Sequence, residues 1–247
     1  MKKISGIEQF QALISNYPRA KTNFYLLPEQ CRKLIGAQKL FYIDTANTLF
    51  LFEARDGFYK FFLRFSKSPC DILPDFQLPT DPLTSYITYR NAPDHTIVER
   101  LLSFGFQRKH TQLRLSAANI LAKSIGNITP ATEDEAIALF SEAFPSLTSD
   151  LPCRGMFHTL TAVRDTDGIP LGIIHYDHTK TVMLIAVRPE ARGCGIGSAL
   201  LGEFAEKSAH LPGDYHVWVV EDNETAFRLY KKLGFKPEGL KSDLYIL

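Results

Sequence analysis

Apolar residues along this chain follow a helical period in some segments and an extended period in others, which predicts a mixed α/β fold. In the first half, Ile7, Phe10 and Leu13 lie one helical turn apart, and Asp94 and Gly105 have the types expected at a helix start and stop. The proline-rich residues 66–82 show neither period and are predicted to form a loop. Helices are predicted over 4–14, from residue 28 and over 96–104, with strands over 41–43, 48–54, 58–65, 84–89 and 112–115.

The second half alternates between the two periods in the same way. Its helices are predicted over 132–144, 148–157, 196–209 and 223–233, and its strands over 159–164, 170–176, 182–187, 215–220 and 244–246. The strand at 215–220 is apolar at Val217, Trp218 and Val219, which predicts an interior strand buried on both faces. The strand–helix–strand order from 182 to 220 predicts a parallel pair of neighbouring strands.

Three glycines lie in the turn between the strand at 182–187 and the helix at 196–209. The turn reads Arg188-Pro189-Glu190-Ala191-Arg192-Gly193-Cys194-Gly195-Ile196-Gly197-Ser198. A helix N-terminus presents unpaired N–H groups and the positive end of the helix dipole, and glycine lets an anion approach the backbone closely. The turn is therefore predicted to bind an anionic group such as a phosphate.

Roughly the last 120 residues resemble the GNAT N-acetyltransferase superfamily through two motifs. The segment Arg192-Gly193-Cys194-Gly195-Ile196-Gly197 resembles the family's acetyl-CoA pyrophosphate loop. The residues Asn223, Ala226, Tyr230, Gly234 and Phe235 match Asn-x-x-Ala-x-x-x-Tyr-x-x-x-Gly-Phe. A single glycine-rich loop is a weak signal, but both motifs in order, about thirty residues apart, make the resemblance specific.

The resemblance implies an acetyl-CoA-dependent N-acetyltransferase and assigns roles to individual residues. The backbone of Ile185, Ala186 and Val187 would pair with the pantetheine arm of the cofactor, and a free N–H at the splayed end of this strand would bind the oxyanion. Asn223 would lie beside the arm, and Tyr230 would be the general acid that protonates the departing thiolate. The loop residues whose N–H groups would hold the pyrophosphate are Arg192, Gly193, Cys194, Gly195, Ile196, Gly197 and Ser198.

No motif identifies the general base. An amine with a pKa of about 10.4 is mostly protonated near neutrality, so a base or a water chain must remove its proton before attack. Glu221, at the end of the strand 215–220, is one candidate. His175 and Asp177, near the end of the strand 170–176, are others.

Plainer roles stay open for the motif residues. Tyr230 shares a helix face with other apolar residues and could be a core aromatic, and Asn223 could be a helix cap. Arg192 could be a solvated loop charge. Cys194 has a small side chain that a turn tolerates, which is a more economical interpretation than a nucleophile.

The first half carries a fainter copy of the same pattern. When Gly105-Phe106 is aligned with Gly234-Phe235, Asp94 falls on Asn223 and Leu101 falls on Tyr230. Residues 68–74, at the place of the phosphate loop, contain no glycine. We therefore expect tandem GNAT-like domains, each a twisted mixed sheet flanked by helices: residues 1–125, which lack the CoA loop and bind no CoA but pack against or cover the other half, and the catalytic residues 126–247.

Composition narrows the function classes. The 247-residue chain has a net charge of +1, which gives no electrostatic case for a nucleic-acid partner. No apolar run approaches the roughly 20 residues that span a bilayer, and no secretory signal is recognisable. The scattered residues Cys31, Cys70, Cys153 and Cys194 predict free thiols in a reducing cytoplasm. His175 and His178 lie three apart on a strand and face opposite ways, so no metal site is expected.

The expected function is transfer of an acetyl group to a primary amine by direct attack in a ternary complex. The acceptor, a small molecule or a peptide, is not readable from the sequence, and a monomer and a homodimer are equally open. One alternative is a non-catalytic acyl-CoA-binding regulatory module. Another is a transferase that uses a larger acyl donor.

Overall fold

The computed structural model describes residues 1–18, 20–55, 57–66, 73, 78–123, 128–144 and 157–247. Two compact units divide the chain: Met1–Thr111 with Lys241–Leu247, and Gln112–Leu240. Each unit combines a mixed sheet with helices, which confirms the predicted fold class. No helix in these ranges is both long enough and apolar enough to cross a membrane.

The first unit is built on a sheet with the order β1-β3-β4-β5-β6-β13. Its elements are β1 (Lys2–Lys3), α1 (Ile7–Ser15), β2 (Lys21–Thr22), α2 (Pro28–Gly36), β3 (Leu40–Asp44), β4 (Thr48–Arg55), β5 (Phe58–Phe65), β6 (Leu83–Tyr89), α3 (His95–Ser103) and the carboxyl-terminal half of β13 (Lys236–Ile246). The strands β5 and β6 run parallel and pair through Tyr59↔Leu83 and Lys60↔Thr84. The side chain of Asp94 caps α3, as the sequence predicts.

The second unit repeats this arrangement with the order β8-β9-β10-β11-β12-β7. Its elements are the carboxyl-terminal half of β7 (Gln107–Ala117), β8 (Ile128–Pro130), α4 (Glu133–Ala143), β9 (Thr159–Arg164), β10 (Pro170–Tyr176), β11 (Thr181–Val187), α5 (Ile196–Ser208), β12 (Tyr215–Val220), α6 (Glu224–Lys232) and the start of β13. The strands β11 and β12 form the predicted parallel pair.

Each unit includes a strand segment supplied by the other half of the sequence. In the second unit, residues 112–117 of β7 pair with β12 along its whole length. In the first unit, residues 241–246 of β13 pair with β6. The compact units are thus assembled from segments on both sides of residue 125, the boundary that the sequence predicts between the two halves.

The sheet of the second unit has a different covering on each face. One face packs against α5 and α6 in an apolar cluster that includes Leu115, Val217 and Phe204. On the other face, α4 packs on β10 and β11 through Leu139 and Phe140. This arrangement places the glycine turn and α6 on one face of the sheet and α4 on the other.

Several sequence predictions are corrected by the structure. The strand predicted at 112–115 extends over Gln107–Ala117, and the strand predicted at 244–246 extends over Lys236–Ile246. Strand β8 was not predicted, because three residues are too few for a period to show. The helix predicted at 148–157 and the proline-rich loop at 66–82 lie largely outside the described residues.

Candidate active site

The parallel strands β11 and β12 separate along their length. They pair at Thr181↔His216 and Val182↔Val217, and no further register partners join them in the described structure, although β11 continues to Val187 and β12 to Val220. The result is a wedge that opens toward the carboxyl ends of both strands. Backbone groups along its edges can pair with an extended ligand, in the manner of an added strand.

A β-bulge lies at the vertex of this wedge. The pairing of β10 with β11 passes from Tyr176↔Val182 to His175↔Leu184, so Met183 is an extra residue without a partner opposite. Met183 is 45% exposed, whereas the other residues of β11 are buried or half-buried. Because a bulge shifts the alternation of side chains by one residue, it accounts for the poor periodicity of this segment in the sequence.

The glycine turn has an open, left-handed backbone. Gly193 and Gly195 both have φ of 82°, and a Cβ at either position would meet nothing within 4 Å. Gly195 immediately precedes Ile196, the first residue of α5. The turn therefore exposes its backbone at a helix N-terminus, where the helix dipole and the unpaired N–H groups favour an anion.

The third glycine of the turn and a glycine of β10 allow close packing around it. A Cβ at Gly197 would lie 3.2 Å from Leu229 Cδ2 of α6, which places the two helices in contact there. A Cβ at Gly172 would lie 2.7 Å from Ile196 Cγ2. The absence of a side chain at Gly172 thus lets the first turn of α5 lie close to the sheet. In the sequence, a single glycine inside a strand was the available signal for this close approach.

Two arginines of the turn donate to nearby backbone carbonyls. Arg188 Nε donates to the carbonyl of Pro170 at 2.8 Å, and its guanidinium lies 3.4 Å from Glu142 Oε2. Arg192 is exposed, and its Nε donates to the carbonyl of Val187 at 3.2 Å. The Cys194 thiol is free and exposed. Of the other residues predicted to contact the cofactor, Ile185, Val187, Gly197 and Ser198 are half-buried, and Ala186 and Ile196 are buried.

Helix α6 supplies both residues of the second motif that were assigned a role. Asn223 Oδ1 accepts from the N–H of Ala226 at 3.1 Å, so this side chain caps the helix. Tyr230 is only 3% exposed, and its ring lies 5.7 Å from that of Phe235. Burial raises the pKa of the Tyr230 phenol well above its usual value, which keeps the hydroxyl protonated and able to donate.

The three candidate bases occupy different environments. Glu221 is exposed and follows the last residue of β12. Asp177 Oδ1 accepts hydrogen bonds from Thr179 and from the N–H of Thr181, so this carboxylate organises the turn between β10 and β11.

His175 is buried, and its Nε2 accepts from the N–H of His158 at 3.0 Å. Burial, and secondarily His158, lower the pKa of His175 to about 4, while Asp177 opposes the shift. A neutral imidazole whose lone pair is already engaged has no free site for the proton of an amine.

The exposed face of β12 corrects one prediction and reveals residues that the sequence analysis missed. Val217 and Val219 are buried, but His216 and Trp218 are only half-buried, so the strand is not covered on both faces. Around them, Arg114 Nε lies 2.8 Å from Glu238 Oε1, and the Arg114 guanidinium lies 5.9 Å from the Trp218 ring. Polar residues at every second position of residues 112–117 in β7, and His216 in β12, were the available signal for this face.

Within the described ranges, no group of three or more His, Cys, Asp or Glu residues is arranged to hold a metal ion. The features that the second unit does combine are an anion-binding turn, a wedge between parallel strands, a buried phenol and a polar sheet face beside the wedge. These features suit a ligand with an anionic group at one end and an extended arm at the other.

Comparisons with known proteins agree with this geometry. Residues 157–237 match the acetyltransferase (GNAT) domain family, which confirms the resemblance seen in the two motifs. An uncharacterised protein of Mycobacterium leprae is 33% identical over 133 residues, which cover 49% of this chain and 36% of that protein. The match thus spans about a third of the length of that curated relative.

Two solved structures match the whole chain in fold. A Drosophila protein superposes with a TM-score of 0.59 at 14% identity, covering 100% of this chain and 98% of the other. A tandem GNAT protein from the clavulanic acid biosynthesis pathway superposes with a TM-score of 0.55 at 12% identity, covering 100% and 97%. At these identities the similarity extends to the fold, and it supports the prediction of tandem GNAT-like halves.

Proposed function

We propose that this chain, in which residues 157–237 form a GNAT acetyltransferase domain, uses acetyl-CoA to acetylate a primary amine. The observation that carries the proposal is that a single strand, β11, provides one edge of the wedge and leads directly into the glycine turn. An extended thioester with a pyrophosphate at its far end fits this arrangement. The thioester supplies an activated acyl group.

The residues predicted for cofactor binding occupy successive parts of this path. Backbone N–H groups from Arg192 to Ser198 bind the pyrophosphate at the start of α5, and the free edge of Ile185–Val187 pairs with the pantetheine arm. From Val187 back to Met183 the strand spans roughly 13 Å, at about 3.3 Å per residue. The reacting end of the ligand therefore lies near the bulge and the vertex of the wedge.

The chemistry is a direct attack of the amine on the thioester, without an acyl-enzyme. A backbone N–H on the free edge of β11 stabilises the oxyanion. Tyr230 protonates the departing thiolate, for which a buried phenol that stays protonated at neutral pH is suited. Among the residues that the sequence suggested, Glu221 stays the predicted base.

The first unit is proposed to bind no CoA. Its parallel strands β5 and β6 also stop pairing after two residues, but buried Leu101 takes the place of Tyr230. Residues 68–74, which lack glycine, lie outside the described residues apart from Leu73. We expect one cofactor per chain and a cytoplasmic monomer or homodimer without nucleic-acid or membrane partners.

A free-thiol release assay with acetyl-CoA and a panel of amines tests the proposed activity. The panel contains amino acids, polyamines, aminoglycosides and peptides with free N-termini. Thiol release that depends on an added amine supports the proposal. Acetyl-CoA binding without turnover on any amine indicates a regulatory module instead, and turnover only with longer acyl-CoA thioesters indicates a larger donor.

A further inference from the structure

The polar face of β12 lies beside the place where the reacting end of the cofactor is expected. His216 is paired with Thr181 and Trp218 follows the last paired residue, Val217, so both side chains belong to the vertex of the wedge. Because side chains alternate along a strand, they project from the face opposite Val217 and Val219, which pack under α5 and α6. An amine that approaches the thioester across this face meets His216 and Trp218.

The carboxylate of Glu238 lies beside the imidazole of His216. Its Oε2 lies 3.6 Å from His216 Nδ1, and both side chains are about one-fifth exposed, at 21% and 19%. Nδ1 is buried and has no other partner, and Nε2 makes no hydrogen bond to any described residue. A proton on Nδ1 is therefore stabilised by the carboxylate, which leaves the lone pair on Nε2 as the site that can accept a proton.

We propose that His216 accepts the proton of the acceptor amine and that Glu238 positions it. This inference rests on the proposed acetyltransferase function and deepens it by assigning the role of base to His216 in place of Glu221. The ammonium form of the acceptor loses one proton to His216 Nε2, and the free amine adds to the thioester carbonyl to give the oxyanion. As the oxyanion collapses, the C–S bond breaks, the thiolate takes a proton from Tyr230, and the nitrogen loses its second proton, which returns to Tyr230 through solvent. His216 then releases its proton to solvent, so the sum is ammonium plus thioester to amide, thiol and one proton.

The charges around His216 suit a base that works near neutral pH. Burial, and after it Arg114 on β7, lower the pKa of His216 from its usual value. Glu238 on β13, Asp214 before β12 and Asp177 in the β10–β11 turn raise it, which limits the shift. The lowered pKa favours the neutral imidazole, and the carboxylate beside it stabilises the imidazolium that forms on proton transfer.

Arg114 pairs with Glu238 and lies over the Trp218 ring, so it bounds one side of the approach to His216.

His216 is better placed for this role than Glu221. Glu221 follows the end of β12, four residues beyond Val217, which corresponds to roughly 13 Å along an extended chain. That position is at the wide end of the wedge, near the region assigned to the arm of the cofactor. His216 is at the narrow end, where the thioester is expected.

The test measures the pH dependence of kcat for the full-length chain with the best amine of the panel. His216→Gln, Glu238→Gln and Glu221→Gln are compared with His210→Gln, a matched exposed histidine after α5. We expect His216→Gln to lower kcat about 10²- to 10⁴-fold, the usual range for a general base. In the wild type, kcat should fall at low pH as His216 becomes protonated, and we call this fall the acidic limb. His216→Gln is expected to abolish the acidic limb. Glu238→Gln is expected to move that limb to lower pH, because a neighbour that raises the pKa of His216 is gone.

A purely structural role for His216 would not move the acidic limb. The inference is overturned if His216→Gln keeps both the wild-type kcat and the acidic limb of its pH dependence, or if Glu221→Gln abolishes the acidic limb instead. Unchanged acetyl-CoA affinity and an unchanged thermal midpoint in His216→Gln show that the variant is folded. If the wild-type chain binds acetyl-CoA but turns over no amine, the acetyltransferase proposal fails and this one fails with it, whereas an active wild type with an unaffected His216→Gln contradicts only the role of His216.

Discussion

Val182 of β11 pairs with Val217 of β12, and this is the last pair that the two strands share. Both side chains are buried in the cluster beneath α5 and α6, so the vertex of the wedge is fixed by the core of the unit. The backbone beyond the pair is left to a ligand, and the bulge at Met183 lies one residue further on. The proposed positions of the cofactor arm, the oxyanion donor and the proton acceptor are all measured from this vertex.

The glycine turn gives the first prediction. Gly195→Ala forces an L-residue into a left-handed conformation and adds a methyl group to the open surface of the turn. Gly168→Ala is a matched control, since Gly168 has the same φ of 82° and equally open surroundings in the β9–β10 turn. Each variant is expected to lose about 1–2 kcal/mol of unfolding free energy. Only Gly195→Ala is expected to weaken acetyl-CoA binding, by at least about 10-fold, which corresponds to about 1.4 kcal/mol of binding free energy. If calorimetry gives equal affinities of the two variants for acetyl-CoA, the turn is not part of the binding site.

The second prediction concerns the general acid. Tyr230→Phe is expected to lower kcat about 10²-fold or more, because the thiolate must leave without a proton donor, while the Kd for acetyl-CoA stays within a factor of two or so. Tyr215→Phe is the control: its hydroxyl donates to the carbonyl of Ala205 at 3.0 Å in the same apolar cluster. That variant is expected to lose about 1 kcal/mol of stability and to keep its turnover. A Tyr230→Phe enzyme with wild-type kcat would leave Tyr230 as a core aromatic.

The third prediction tests the contribution of β7 to the second unit. Residues 112–117 pair with all of β12, and Leu115 is buried in the core under α6. A fragment of residues 112–240 is expected to unfold cooperatively and to bind acetyl-CoA. A fragment of residues 126–240 lacks this strand, exposes the edge of β12 and is expected to aggregate or to show no cooperative transition. Equal thermal midpoints for the two fragments would show that β7 is dispensable.

The fourth prediction is a pH dependence of stability at the start of α4. The Arg164 guanidinium, and then the backbone N–H of Thr132, hold the pKa of Glu135 at about 2. A depressed pKa means that the pair stabilises the fold above the unfolded value of about 4.3 and that this contribution is lost as pH falls toward 2. Glu135→Gln is therefore expected to lose about 1–2 kcal/mol at pH 7, and the difference from wild type is expected to shrink steadily below pH 4.

Denaturant titrations at several pH values measure this effect, with Asp134→Asn as the control. Asp134 lies in the same helical turn but is exposed, so a smaller loss is expected there. A Glu135→Gln deficit that stays constant from pH 7 to pH 3 would show that the lost stability comes from packing and not from the ion pair.

The glycine turn, α6 and the order of strands and helices in the second half could be predicted because each leaves a local signature. Three glycines after an apolar run, or Asn223 and Gly234 at the ends of a helical period, are signals within one element. The similarity of residues 84–106 to the second half also rests on local signals, namely the cap residue Asp94 and the Gly105-Phe106 pair. The matching parallel pairs β5–β6 and β11–β12 give that similarity a structural counterpart.

The pairing of β7 with β12 and of β13 with β6, in which each unit takes a strand from the other half of the sequence, could not be predicted in this way. Whether β7 pairs with β12 or with a strand of its own half depends on partners about one hundred residues apart, and both choices satisfy the same alternation of side chains. The polar cluster around His216 depends on the same pairing, because β7 brings Arg114 beside Glu238, which in turn lies beside His216. In the sequence, these three polar residues are widely separated and carry no motif.

Isothermal titration calorimetry of the wild-type chain with acetyl-CoA tests the central claim most directly. The account predicts one binding site per chain at micromolar protein concentration, because the second unit has the glycine turn and the first has none that the sequence reveals. Two equivalent sites would contradict the assignment of a silent first half. No binding would contradict the acetyl-CoA wedge itself, and with it the proposed transferase.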